Sequence, residues 1–433
     1  MFAVLSLPPA LAHRDFRRLW SSMLCSGVAM QMVAVAVGWQ VYSIHGKAFD
    51  LGLIGLAEFL PVLLLALPAG QLADRLPRVT LVAIFGFADA IGVALLLVVT
   101  IGGARQLWQF LALAVLTGTI AALGNPAGRS LTPEIVPAEL LGGAIALRSI
   151  AGQAATIGGP ALGGLLFAIR PEAVYATGIV LLLASSILVL RVTHPKGTGR
   201  SGSEPARLDG LLGGIRFIRS TKVILGAITL DLFAVLFGGS VALLPLFAKS
   251  ILHTGPFGLG VLRSAIAVGA LIAGVRHARR PLGGRAGRTL LVVVATFGAS
   301  MIVFGLSHWF IVSALALAVS GFVDMFSMNI RATTVALATP NALRGRVNAV
   351  EGVFIGASNE LGAFESGSAA ALLGAVPAVV IGGVLTIALA AVWPWVFPAL
   401  ARVDRMDSLL PPGEGEVLPV GRAGPASSPE PAD

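Results

Sequence analysis

The chain has 433 residues, of which 56% are hydrophobic and only 12% charged, where soluble domains carry roughly 25% charged residues; an ordinary water-soluble globule is excluded. The single cysteine, Cys25, excludes an intramolecular disulfide and a Cys₂His₂ or Cys₄ zinc site. The net charge of +9 is scattered in short stretches between long apolar runs rather than gathered on a polar face, so it argues for a membrane and against nucleic acid.

A helical span needs roughly 20 mostly apolar residues. Twelve such stretches follow one another near 19–44, 51–72, 79–101, 107–128, 138–169, 172–192, 222–248, 256–276, 289–307, 309–331, 343–374 and 376–400. Helix is the expected form because an open sheet would leave backbone groups unpaired in lipid, and the short alternating segments of a barrel are missing. The stretch 138–169 is too long for one untilted span, so its first turns are expected at the membrane surface.

No cleavable leader is read at the N-terminus, because the basic cluster His13, Arg14, Arg17 and Arg18 follows the apolar start instead of preceding it. With that end inside, 24 of the 30 Lys and Arg fall in inner segments, Arg331 among them at the end of the tenth span. Four (Lys47, Arg105, Arg170 and Lys249) fall outside, and Arg148 and Arg263 lie within spans. That bias predicts a multi-pass protein of the bacterial inner membrane with both termini cytoplasmic.

The expected organisation is a six-helix bundle over 1–192, a cytoplasmic linker over 193–221, a second six-helix bundle over 222–400, and a largely disordered cytoplasmic tail over 401–433. Within the linker, Leu208, Leu211, Leu212, Ile215 and Ile218 recur at helical spacing beside Arg216 and Arg219, as in a helix lying on the inner face; an ordinary linker fits equally. A shift of 203 residues lays Pro137 on Pro340, Leu140 on Leu343, Gly142 on Gly345, Gly159 on Gly362 and Gly164 on Gly367. Two related halves with a ligand site between them near the midplane is a layout common in secondary transporters.

Two motifs sharpen this. Gly70, Asp74, Arg75 and Arg78 follow the second span in a short inner turn, where the glycine permits close approach and the acid can face a helix N-terminus. The fifth span contains Gly159-Pro160-Ala161-Leu162-Gly163-Gly164, in which the proline frees a carbonyl and the glycines admit a neighbouring helix. The first resembles motif A of the major facilitator superfamily, with Pro77 and Val79 departing from the pattern. The second resembles the motif C typical of that superfamily's exporters, with Ala155 in place of its first glycine. Together with Asn125-Pro126-Ala127 and Leu343-Arg344-Gly345-Arg346, they resemble most the branch that holds enterobactin exporters and macrolide efflux proteins. The resemblance implies an all-α fold of twelve transmembrane helices in two pseudo-symmetric bundles. It implies a cytoplasmic gate at motif A, a cavity lined by helices 1, 2, 4, 5, 7, 8, 10 and 11, and a monomer. Proton-coupled drug exporters of the superfamily usually carry an arginine four residues before a glycine of helix 4; Ala114 stands there, before Gly118.

Charges inside spans are costly and suggest function. At about 1.5 Å per residue, Arg148, Asp231, Asp324 and Glu351 fall roughly 10–15 Å from the inner surface and Glu58, Arg263 and Glu360 roughly 20–25 Å. Two polar layers are therefore expected, each with one arginine and more than one acid, and Arg148 is expected to pair with Asp231 or Glu351. Asp89, on the third helix of the outer ring, is expected to be structural. Gln31, Trp39 and Gln40 of helix 1, and Met325, Met328 and Asn329 of helix 10, supply adaptable apolar contact and a few amides for a ligand. No phosphate-binding loop, H-E-x-x-H or G-x-S-x-G sequence is present, so no enzyme, metal or cofactor is expected. The expected activity is secondary export of amphipathic small molecules of drug or siderophore type by proton antiport, with small molecule, protons and the lipid bilayer as partners. Import or uniport on the same fold, and a non-transporting scaffold or sensor, stay open.

Overall fold

The computed structural model describes residues 8–103, 106–193, 208–279, 285–340 and 343–403. Among these there is no strand, and twelve long helices follow in order. They are α1 (Arg14–His45), α2 (Ala48–Arg75), α3 (Arg78–Ile101), α4 (Leu107–Ile135), α5 (Leu141–Ile169), α6 (Pro171–Leu190), α7 (Lys222–Ile251), α8 (Gly255–Arg279), α9 (Ala286–Leu306), α10 (Phe310–Ala338), α11 (Arg344–Leu373) and α12 (Ala375–Val396). The segments 194–207 and 404–433, read above as flexible linker and tail, lie outside the described residues.

Eleven of these helices are long and apolar enough to cross a membrane. The exception is α11. Its 30 residues suffice in length, but Arg344, Arg346, Glu351, Glu360 and Glu365 make it too polar for a lipid-facing span. It packs instead between α2 and α7. Large apolar side chains on α3, α6 and α9, such as Val98, Val180 and Val292, point outward and are exposed, a surface suited to hydrocarbon.

Local sequence explains the departures from straight helix. In α7 the α-helical part ends at Gly238; Gly239 and Ser240 interrupt it, and the chain resumes as a 3₁₀ turn, a short α turn begun at Leu244-Pro245, and a π turn over Phe247–Ile251. A 3₁₀ turn at Ala138–Leu140 precedes α5, so the long fifth stretch does divide at its start. A further helix occupies Leu208–Ser220; its Ile218 is buried with Ile224 of α7, Val335 of α10 and Val347 of α11.

Helix pairings repeat with an offset of six. Within α1–α6 the main contacts are α1 with α5 and α6, α2 with α4, and α3 with α4 and α6; the same pairs recur among α7–α12. Two large contacts join the groups, α5 with α8 and α2 with α11, and they exchange under the same offset.

Candidate functional site

The two six-helix groups meet tightly at the end that carries the α1–α2, α5–α6, α7–α8 and α11–α12 turns. A methyl group on Gly164 would come within 2.5 Å of the Pro256 carbonyl oxygen, and Gly260 faces the Pro160 carbonyl equally closely. Gly164 and the Pro160 carbonyl bring α5 and α8 backbone to backbone, whereas Gly159 and Gly163 meet α1 of the same group rather than α8. Ser264 Oγ donates to the Ile157 carbonyl at 2.6 Å, Tyr42 Oη and Ser250 Oγ share a hydrogen bond of 2.9 Å, and Lys249 Nζ donates to the Ser43 carbonyl at 3.3 Å. On the α2–α11 side, the Phe49 and Phe364 rings meet tilted at 59° with centroids 5.8 Å apart, and a methyl group on Gly52 would lie 3.1 Å from the Phe364 Cα.

The opposite end is open. Between Leu141 and Gly152 of α5 only Ala144 and Ala151 are buried, and Ile145 and Ile150 are exposed. A methyl group on Gly142, Gly143, Gly152, Gly345 or Gly352 would meet nothing within 4 Å. The last glycine contact between the groups toward this end is Gly356 against Phe59, at 3.9 Å. A cleft therefore runs from the open end to an apex at the level of Phe59 and Gly356.

Three charged groups stand at that apex. Glu58 of α2, Arg263 of α8 and Glu360 of α11 lie within electrostatic reach of one another. Glu58 is exposed and the other two are half-buried. One Arg263 Nη is buried without a hydrogen-bond partner. Nearer the open end is a second group. Arg331 of α10 and Asp231 of α7 are buried, at 5% and 7% exposure, and form an ion pair of 2.5 Å. Asp324 of α10 and Glu351 of α11 lie within reach of the same guanidinium. Glu351 precedes Glu360 by nine residues, which sets the two levels about 13 Å apart along α11.

The family's sequence profile, described as transmembrane secretion effector, matches residues 6–412. The chain belongs to that family. It is a transporter fold of the major facilitator superfamily and a multi-pass membrane protein. Among curated relatives, the multidrug efflux pump Tap of Mycolicibacterium fortuitum is 28% identical over 79% of this chain and 86% of its own. The enterobactin exporter EntS of Citrobacter koseri is 28% identical over 89% and 94%. In fold, a bacterial homologue of the human lysosomal transporter Spinster, inward-facing and occupied, superposes with a TM-score of 0.70 at 13% identity, over 92% of this chain and 98% of that one. A bacterial homologue of the iron transporter ferroportin, inward-facing, gives 0.66 at 18% identity, over 90% and 99%.

Against this major facilitator frame, one pairing read from the sequence is corrected. The ion-pair partner of Asp231 is Arg331, not Arg148. The apolar run ends at Arg331, which by sequence counts it with the inner surface, but α10 continues to Ala338 and the side chain is buried inside the bundle. The signal was available as helical spacing, since Asp324, Met328 and Arg331 recur at i, i+4 and i+7 on one face. Arg148 instead donates to the Gly128 carbonyl at 3.4 Å and to Thr132 Oγ1 at 3.3 Å, both on α4.

The remaining residues scatter. Gln40 bonds Tyr175 Oη at 2.7 Å and Thr100 Oγ1 at 3.1 Å, which engages it with α6 and α3 rather than with the cleft. Trp39 packs on the apolar core, and Gln31 lies against Gly159 at the α1–α5 crossing. Met325 sits near Gly274 of α8, Met328 is 44% exposed, and Asn329 is half-buried. Gly163 and Gly164 are buried against α1 and α8 respectively. Arg78 pairs with Glu134 of α4. The side chains of Asp74 and Arg75, and Gly70, lie outside what is described. Asp89 has a buried Oδ1 without a hydrogen-bond partner, on α3 and away from both charged groups.

Proposed function

We propose that the chain is an inner-membrane exporter of amphipathic small molecules, working by alternating access and proton antiport. The observation that carries this reading is the cleft itself, closed at one end by glycine-mediated contacts of α5 with α8 and α2 with α11, and charged at its apex by both halves. The Lys- and Arg-rich segments lie at the open end, which makes that end cytoplasmic and this conformation inward-open. Efflux agrees with the names of the Tap and EntS relatives and with the motif C glycines. Gly70, Asp74, Arg75 and Arg78 then border the cytoplasmic gate, standing open here.

Coupling falls to the cluster around Arg331. One guanidinium cannot neutralise Asp231, Asp324 and Glu351 together; in this water-accessible state the acids that Arg331 does not hold carry charge, and a carboxyl that loses both water and its counter-charge favours its neutral form. An acid that gains Arg331 releases its proton, and one that loses it accepts a proton when its side of the membrane has water. Proteoliposomes with an imposed pH gradient test this. Wild type is expected to accumulate an amphiphile against its gradient. Asp324→Asn and Glu351→Gln together are expected to abolish uphill transport while leaving exchange down the substrate's own gradient. Uphill transport that persists in the double variant assigns the proton elsewhere, with Glu58 the next candidate.

A further inference from the structure

We infer that the ligand of this cleft is an organic monocation with an apolar body, held at the apex by Glu58 and Glu360; the inference rests on the transporter reading above and narrows it. At the apex two carboxylates face one guanidinium, and they come from both halves. No direct ion pair joins Arg263 to either acid among the described residues, and its buried Nη has no hydrogen-bond partner. Neither carboxylate is consumed by Arg263. Glu58 is exposed, and the Glu360 carboxylate reaches across to α2, where a methyl group on Gly55 would lie 2.9 Å from its Oε2.

The wall leading to the apex has the same sign. Asp324 is exposed and Glu351 half-buried, and the guanidinium nearest them is already bonded to Asp231. Across the cleft, Arg148 is turned to the α4 backbone and Thr132. At each level the carboxylates outnumber the arginines. A cleft with low-dielectric walls focuses an excess of one sign, so at these two levels, inside the basic rim of the open end, it concentrates cations and repels anions. Met328, one turn from Asp324 on the same face of α10 and exposed, offers a polarisable apolar contact beside the charge. A polyanionic ligand would meet repulsion at both levels, so the arrangement separates the drug-type reading from an anionic siderophore.

Tetraphenylphosphonium and tetraphenylborate, nearly identical in shape and opposite in charge, test this by equilibrium binding to the purified protein, corrected with protein-free micelles. The phosphonium is expected to bind at least tenfold more tightly than the borate. Glu58→Gln with Glu360→Gln is expected to remove that preference, Glu58→Asp to retain it, and Met328→Ala to weaken both ions alike. Retained borate binding in the double variant shows that the cleft has kept its shape. Equal affinities, a preference for borate, or a preference that survives the double variant overturns the charge assignment. Transport into inverted vesicles separates the two readings. Accumulation of an anionic amphiphile but not of phosphonium leaves the exporter and overturns the monocation. Phosphonium bound with the stated preference but moved by no gradient leaves the monocation and overturns the exporter.

Discussion

The two charged groups of the cleft differ in which helices hold them. Glu58 stands on α2 while Arg263 and Glu360 stand on α8 and α11, so the spacing of the apex group depends on how the six-helix groups lean on each other. Asp231, Arg331, Asp324 and Glu351 stand on α7, α10 and α11, all in the second group. Under the proposed alternating access, rigid-body rocking would pull the first set apart, whereas the second would move as one body and exchange Arg331 among its acids by side-chain movement and changed access to water. The first is thereby suited to sense ligand and conformation, and the second to hold and exchange a charge. Substitutions that act on one set and spare the other can break this division.

The largest effect is expected from Gly164→Leu. A methyl group there already approaches the Pro256 carbonyl oxygen to 2.5 Å and the Gly260 Cα to 3.1 Å, so a leucine must wedge α5 from α8; overpacking of this kind costs about 1–3 kcal/mol or more. Transport should fall to background. Disulfide formation between cysteines placed at Gly55 of α2 and Ala363 of α11, whose Cβ positions lie 3.3 Å apart, should slow at least tenfold. Gly367→Leu should do the same, because a methyl there lies 3.0 Å from the Ala48 carbonyl and the Gly52 Cα. Unaltered cross-linking in both variants would mean that the closed end does not depend on these glycines.

A middle-sized effect falls on the second group alone. Asp231→Asn leaves the buried Arg331 charge without its partner, and breaking such a pair costs about 3–5 kcal/mol. Its thermal melting should drop clearly, and Asp231→Asn with Arg331→Gln should recover most of the loss. Glu58→Gln, in the apex group with no direct ion pair, should melt close to wild type. If Asp231→Asn melts like wild type, the pair does not hold α7 to α10.

Much of this architecture was legible because lipid imposes one simple rule, long apolar helices, and because the repeat preserved packing contacts. The 203-residue shift has a physical meaning at two of its three glycine pairs. Gly159 touches Gln31 of α1 while Gly362 touches Val235 and Leu236 of α7. Gly164 touches α8 while Gly367 touches α2, and Gly142 and Gly345 both face open space. Close helix contact tolerates no side chain, which accounts for glycine in both halves at Gly159 and Gly362 and at Gly164 and Gly367. The charge pairing was less legible. The apolar run of the tenth span stops at Arg331, which by hydropathy alone puts it at the surface, although its helix continues for seven residues. Gln40 shows the converse: a polar residue in a cavity helix reads as ligand-facing, yet Tyr175 and Thr100 claim it within the first group. One-dimensional spacing fixes depth, whereas azimuth around the helix depends on neighbours far away in sequence.

The smallest effect is expected at Arg78. Its guanidinium pairs with Glu134, and the two side chains are 18% and 17% exposed, at the open end of the first group. Both partners belong to that group, on α3 and α4, so the pair moves with its half and contributes equally whichever end of the cleft is closed. A partly solvated pair is worth about 0–1 kcal/mol and weakens with salt. Arg78→Gln should therefore lower thermal stability only slightly, less so at high ionic strength, and should leave Gly55–Ala363 cross-linking at the wild-type rate. A cross-linking change as large as that of Gly164→Leu would mean that Arg78 meets the second group when the cytoplasmic end closes, because only a contact made in one state and lost in the other can shift the balance between them.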